Sequence, residues 1–273
     1  MRQALAAVTL SYAIQKPTTG PLSNALIAPL RRIASLCVSQ GLLQQADAAL
    51  AEALQIATIV FAAPHTEIAL ILSDIGKLRA LQAKPKEAQE MLTKALTMLL
   101  SILPEVNLDV AAAQYELAGL FLRNGTYEQA VRHYEKALDS RIKLLGEDSV
   151  EVIATRYQLA NTHVHLDSFD VALDLLDKAR ASASKRADCT SLVSSCDFGL
   201  ALLHARQGKL ASARDLLAKV AQQKRSLREG LPDLATVTTA QGLLEEQNGG
   251  DLSLACNYYK ESADVLLKHY GSR

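Results

Sequence analysis

The chain has 273 residues, and its 29 Lys and Arg balance 29 Asp and Glu, so it has no formal net charge. A protein bound mainly to nucleic acid carries a basic surplus, and this composition has none. Apolar residues make up 49% and aromatics only 4%, an alanine- and leucine-rich balance that suits helices and lacks β-branched strand runs.

The first predicted element is a helix over residues 3–15. No acidic residue precedes Asp47, while Arg2, Lys16, Arg31 and Arg32 do, a bias shared with organellar transit peptides. Only Arg2 is basic within the first fifteen residues, and the helix fits the register of everything after it. The reading is therefore a structural helix, with a cytoplasmic location favoured and an organelle matrix such as the mitochondrion as the alternative.

That register is an internal repeat. Small residues recur at Ala46, Ala88, Ala130, Ala172, Ala213 and Ala255, in steps of 42, 42, 42, 41 and 42. Seven residues after each comes Ala53, Ala95, Ala137, Ala179, Val220 or Ser262. Twelve or thirteen before each comes Ala34, Gly76, Ala118, Ala160, Ala201 or Gly242. Four after each stands a larger side chain: Leu50, Leu92, Tyr134, Leu176, Leu217 or Tyr259. A fixed period of this size means stacked structural units.

Within the third unit, Leu117, Leu120 and Phe121, then Val131, Tyr134 and Leu138, keep helical spacing. Asn124-Gly125 breaks the pattern as a turn does. Two helices joined so tightly must cross closely, which explains the small residues at Ala118 and Ala130. One such hairpin cannot bury its own apolar face, so its neighbours must cover it. In the second unit Pro85 suits a turn or a first helical position.

The organisation read from this pattern is a leading helix and linker over 1–26, in the register of a second helix whose first helix is missing. Six units come after it, at about 27–68, 69–110, 111–152, 153–193, 194–234 and 235–273. Gln241 departs from the pattern, since the other units carry Ile or Leu there. Gly249-Gly250 adds one residue to the last turn, and Gly271 falls one repeat after a linker glycine. Neither end shows a polar capping helix, which implies further repeats or other subunits at the ends.

The stretch from Tyr115 to Ala130, with Tyr134 and Ala137-Leu138, resembles the tetratricopeptide repeat family. It carries that family's Leu-small pair, aromatic, Gly-x-Tyr turn and second-helix alanines. The usual period is about 34 residues, and the longer one here is similar to the kinesin light chain and nephrocystin subtype. Leu144-Leu145-Gly146 with the later Val152 is similar to that subtype's linker, and His65 to Ala69 and Leu231 to Ala235 are partial copies. The fold this implies is all-α: an α-solenoid, a right-handed superhelix of helix-turn-helix repeats.

The resemblance also implies that the first helix of each unit lines a concave groove. Carried over position by position, the groove residues are Arg31, Lys77, Tyr115, Arg123, Tyr157, Asn161, His165 and Arg206. Arg32, Ser35, Asp74, Glu116, Phe198, Thr239 and Glu246 lie beside them. Asparagine can donate to and accept from an extended peptide backbone, and tyrosine and arginine are common binding anchors.

No phosphate-binding glycine loop, nucleophile elbow or zinc motif is present. His163 and His165, two apart on a helix, cannot hold one ion together, so no metal or cofactor is expected. Cys37, Cys189, Cys196 and Cys256 lack paired spacing, which favours a reducing compartment. No apolar run reaches the about 18 residues of a membrane span. Glu147-Asp148, Glu245-Glu246 and the run Lys224-Arg225-x-x-Arg228 read as solvated surface.

The functional expectation is a non-enzymatic scaffold or adaptor that binds a partner peptide or helix in its groove, or a structural subunit of an assembly. A regulatory peptide sensor is the second reading. An RNA-associated helical repeat is the third, and neutral charge argues against it.

Overall fold

The structure is a computed structural model that describes residues 2–226, 231–247 and 251–270. Thirteen α-helices make up these described residues, and no strand occurs among them. They are α1 (Arg2–Thr19), α2 (Ile27–Ser39), α3 (Leu43–Val60), α4 (Thr66–Leu81), α5 (Pro85–Ile102), α6 (Leu108–Arg123) and α7 (Tyr127–Leu145). The remainder are α8 (Val150–His165), α9 (Phe169–Ser184), α10 (Thr190–Arg206), α11 (Leu210–Ser226), α12 (Leu231–Gln247) and α13 (Leu252–Tyr270). Gly249-Gly250, Arg228 and Gly271, singled out in the sequence, lie outside the described residues. The chain divides into two compact units, Met1–Leu144 and Leu145–Arg273.

The helix ends obey local chemistry. Between first and second helices, one turn position has positive φ: Gly41 (74°), Ala83 (57°), Gly125 (76°), Asp167 (54°) and Gly208 (75°). Glycine takes this left-handed conformation without a Cβ penalty, whereas Ala83 and Asp167 bear one. Pro85 is the first residue of α5, where its missing N–H leaves nothing unsatisfied. The first helices α4, α6 and α8 begin on side-chain caps. Asn107 accepts from the Asp109 N–H at 2.7 Å, and Ser149 accepts from Val152 at 3.3 Å.

The small-residue slots are the buried spine. Ala46, Ala88, Ala130, Ala172 and Ala213 are fully buried, and so are Ala53, Ala95, Ala137, Ala179 and Val220. In the first unit the closeness is measurable at Gly76. A Cβ there would lie 2.7 Å from Leu92 Cγ on the facing helix. In the second, a Cβ on Gly242 would lie 2.7 Å from the Tyr259 ring. Facing helices thus approach until one side must carry a hydrogen or a methyl group, and the large residue one turn further along fills the space beside it.

The core of the first unit gathers Leu30, Leu50, Ile56, Ile71 and Leu78, with Leu5 and Tyr12 of α1 packed against it. Tyr12 and Lys16 both reach Glu52 on α3, at 2.5 and 2.7 Å. In the second unit, Leu176, Leu200 and Leu203 form one cluster, and Leu217, Leu234 and Leu244 another. Polar braces tie consecutive helices. Asp197 on α10 is fully buried between Arg180 of α9 at 2.5 Å and Lys219 of α11 at 2.9 Å. One repeat slot is braced in each unit with opposite polarity, by Asp47–Arg79 at 3.0 Å and by Arg214–Glu245 at 2.7 Å.

Candidate functional site

In the first unit, side chains from three successive first helices line a cavity of 310 Å³: Arg31 and Ser35 of α2, Asp74 and Lys77 of α4, Glu116 and Arg123 of α6. Its floor is Ala34, Leu50 and Leu78, residues of the buried spine. Helical spacing sets this arrangement. Asp74 and Lys77 stand three apart and share a face, and their charges pair at 2.7 Å.

The charges alternate across the cavity. Arg31 Nε donates to Asp74 Oδ2 at 2.8 Å, and its other arm lies 3.8 Å from Glu67. Lys77 bridges Asp74 and, at 4.0 Å, Glu116. Burial pushes the Glu116 carboxyl above the usual carboxylate range, against Lys77 and Arg123, which pull it down. Arg123 is exposed at the cavity edge. Tyr115 sits differently from its neighbours. Its ring lies under the Arg141 guanidinium at 4.5 Å and edge-on to the buried Tyr134 at 5.4 Å.

In the second unit, a cavity of 210 Å³ is lined by Tyr157 of α8, Ser194, Ser195 and Phe198 of α10, Lys224 of α11, and Asp233 and Thr236 of α12. Burial, with Cys196 and Asp233 nearby, raises the Tyr157 hydroxyl above its ordinary value. Ser194 is buried, and its Oγ has no hydrogen-bond partner among the described residues. Asn161 is half-buried on α8, and His165 is exposed at the end of that helix. Arg206 ends α10, 3.8 Å from Asp167. The structure therefore brings Arg31, Lys77 and Arg123 to one cavity and Tyr157 to another.

Three sequence expectations change. Lys224 is only 7% exposed and donates to Asp233 at 2.9 Å, and Arg225 pairs with Glu261 at 2.8 Å, so this is an ion-paired helix end rather than a solvated run. Glu245 is 7% exposed and held by both arms of Arg214, whereas its neighbour Glu246 is exposed and accepts from the Tyr259 hydroxyl at 2.6 Å. His163, in the slot of the buried Phe121, is half-buried rather than fully inside. Sequence reasoning also missed Ser194 and Asp233. Serine and aspartate at those positions resemble any helix-surface residue, and only their place in the lining of one cavity distinguishes them.

A larger cleft of 730 Å³ runs along α5 past Pro64, Gln89, Thr93 and Met98. Most of its walls come from that second helix, and it gathers none of the sequence-derived residues. Among the described residues no group of three His, Cys, Asp or Glu is placed to hold a metal ion. No described helix is long and apolar enough to cross a membrane.

Comparisons with known proteins agree with this architecture. One tetratricopeptide repeat family model matches residues 25–101 and 109–185, and a second matches 73–143 and 157–228. The chain belongs to the tetratricopeptide repeat family. No curated protein matches it in sequence. Among solved structures, BtubC (BKLC) from P. vanneervenii is similar at 19% identity and a TM-score of 0.72, over 84% of this chain and 92% of that one. The kinesin light chain TPR-like repeats of Podosopora anserina align at 20% identity and 0.64, over 76% and 99%. The apo form of RapI aligns at 15% and 0.73, over 98% and 93%. Likeness at these identities speaks to the fold alone.

Proposed function

We propose that this chain is a protein-interaction module built of six repeat units, and that it binds an extended peptide or helix of a partner protein on the faces of its first helices. One observation carries the reading. Three successive first helices, α2, α4 and α6, each send two polar or charged side chains into one cavity over a floor of buried apolar residues. Polar side chains over an apolar floor suit a ligand that brings both side chains and backbone. The charged groups are paired with one another, within α4 and across helices, rather than set as nucleophile and base, which supports binding rather than catalysis. All four cysteines are free thiols, in keeping with a reducing compartment, the cytoplasm.

The test is affinity capture from native extract with three forms of the full chain: wild type, Arg31→Ala/Lys77→Ala/Arg123→Ala, and Tyr157→Ala/Asn161→Ala. Circular dichroism first establishes that each is folded. A partner bound by wild type and lost from a folded variant supports the reading. Partners retained by both variants overturn it in favour of binding through the second helices or the ends.

A further inference from the structure

One contact between α6 and α7 differs in kind from its counterparts in the repeat. Four residues before the small residue of each first helix stand Leu30, Leu72, Gln114, Arg156, Asp197 and Thr238. Three after the alanine of each second helix stand Ala49, Met91, His133, Leu175, Leu216 and Tyr258. Leu72 and Met91 both pack against the apolar core of the first compact unit. Their counterparts one repeat later are Gln114 and His133, an amide and an imidazole.

These two side chains join the helices. Gln114 is only 4% exposed, and His133 is half-buried. His133 Nδ1 is hydrogen-bonded to Gln114 Oε1. An amide oxygen only accepts, so Nδ1 carries the hydrogen and Nε2 is left to take a proton. The ring also stacks on the buried Phe121 of α6, with centroids 5.3 Å apart. A titratable ring therefore sits where the preceding repeat has an apolar contact.

The charges that face His133 are Lys136 and Arg132 of its own helix, both positive. From α6 come Gln114 and Phe121, which do not titrate. Glu105, just before α6, reaches Lys136 at 3.4 Å, and among the described residues His133 is in no ion pair with a carboxylate. Burial first, then Lys136 and Arg132, hold the imidazole below its ordinary value. The folded chain thus favours the neutral ring. The contact is intact above the ordinary imidazole range and is lost as pH falls through that range to the lowered value.

We propose that His133 is an acid-sensitive joint, whose protonation loosens α6 from α7. Histidine titrates within the span of about pH 5 to 8 where cellular pH changes occur. α6 brings Glu116 and Arg123 to the cavity of Arg31 and Lys77, so the loosened joint acts on that wall. This consequence rests on the cavity being the binding site, whereas the joint itself does not. Glu116 works in the opposite sense, since its raised carboxyl takes up a proton without loss of stability. Variants at the joint must therefore be compared with wild type at each pH.

The experiment is urea unfolding and amide hydrogen exchange of the full chain at about pH 7.5 and about pH 5, with no partner present. Wild type is compared with His133→Met and with Gln114→Leu/His133→Met, which copies the Leu72 and Met91 pair. The stability of each variant relative to wild type should rise as pH falls. Exchange in α6 and α7 of wild type should speed up by about threefold or more relative to the double variant at the acid pH. If His133→Met alone does not fold, the double variant carries the comparison. A stability difference that does not change with pH, acid-accelerated exchange that spares α6 and α7, or a double variant unfolded at neutral pH would overturn the proposal.

Discussion

Replacing glycine by alanine at two helical positions of the first unit should have opposite effects, and the register of the small residues dictates which. Gly76 and Gly119 lie inside α4 and α6, so alanine should gain about 0.8–1.0 kcal/mol of helix propensity at each. At Gly119 the new Cβ would meet the Tyr134 hydroxyl at 3.4 Å and Arg123 at 3.8 Å, ordinary contact distances, so most of the gain should survive. At Gly76 it would lie 2.7 Å from Leu92 Cγ, 3.0 Å from Leu92 Cδ2 and 3.2 Å from the Ala88 carbonyl. Leu92 is 1% exposed, and the close atom is its branch point, so it cannot swing aside. Overpacking of this kind costs about 1–3 kcal/mol. The net expectation is a stabilisation of about 0.5–1 kcal/mol for Gly119→Ala and a destabilisation of up to about 2 kcal/mol for Gly76→Ala. Urea unfolding monitored by circular dichroism gives the ranking directly. A Gly76→Ala variant as stable as wild type or more so would refute the claim that α4 and α5 are in closest approach at this slot.

The same packing sets other outcomes. Ala130→Leu, at a fully buried slot, should lower stability by about 1–3 kcal/mol, while Glu128→Leu on the exposed face of the same helix should stay within about 0.5 kcal/mol of wild type; equal stability of the two would refute the register. Ala83→Gly should stabilise by about 1 kcal/mol, because Ala83 holds a φ of 57° that glycine takes without strain, and a loss of stability would contradict the turn geometry. Glu116 has a folded value raised above its unfolded one, chiefly by burial, so its contribution is intact below the ordinary carboxylate range and is lost as pH rises through the raised value. Glu116→Gln should therefore match wild type at acid pH and exceed it at neutral pH in denaturant titrations, and a gap that does not change with pH would contradict the assignment.

The legible part of the sequence was geometric. The alanine slots need only be small, a requirement each position states for itself, and all those of the 42-residue register from Ala46 to Ala213 are buried. The turn after each first helix was legible as Asn124-Gly125, but Ala83 and Asp167 occupy the same left-handed position without a glycine to announce it. The candidate site was legible in part. Arg31, Lys77 and Arg123 reach a common cavity, as the family resemblance implied for these first-helix positions. The fate of Lys224 and Glu245 depends on partners 9 and 31 residues away, Asp233 and Arg214. A run of charges on a helix looks the same whether solvated or paired across an interface. Tyr115 illustrates the same limit: Arg141 covers its ring from another helix, and the groove position of Tyr115 says nothing about that cover.

The measurement that tests the central claim most directly is amide hydrogen exchange on the full chain, free and bound to a partner recovered by affinity capture. The account predicts new protection concentrated in the first helices, in α2, α4 and α6 of the first unit and α8 and α10 of the second. Protection confined instead to α5, α7, α9 or α11, with the first helices unchanged, would contradict it and place recognition on the second helices.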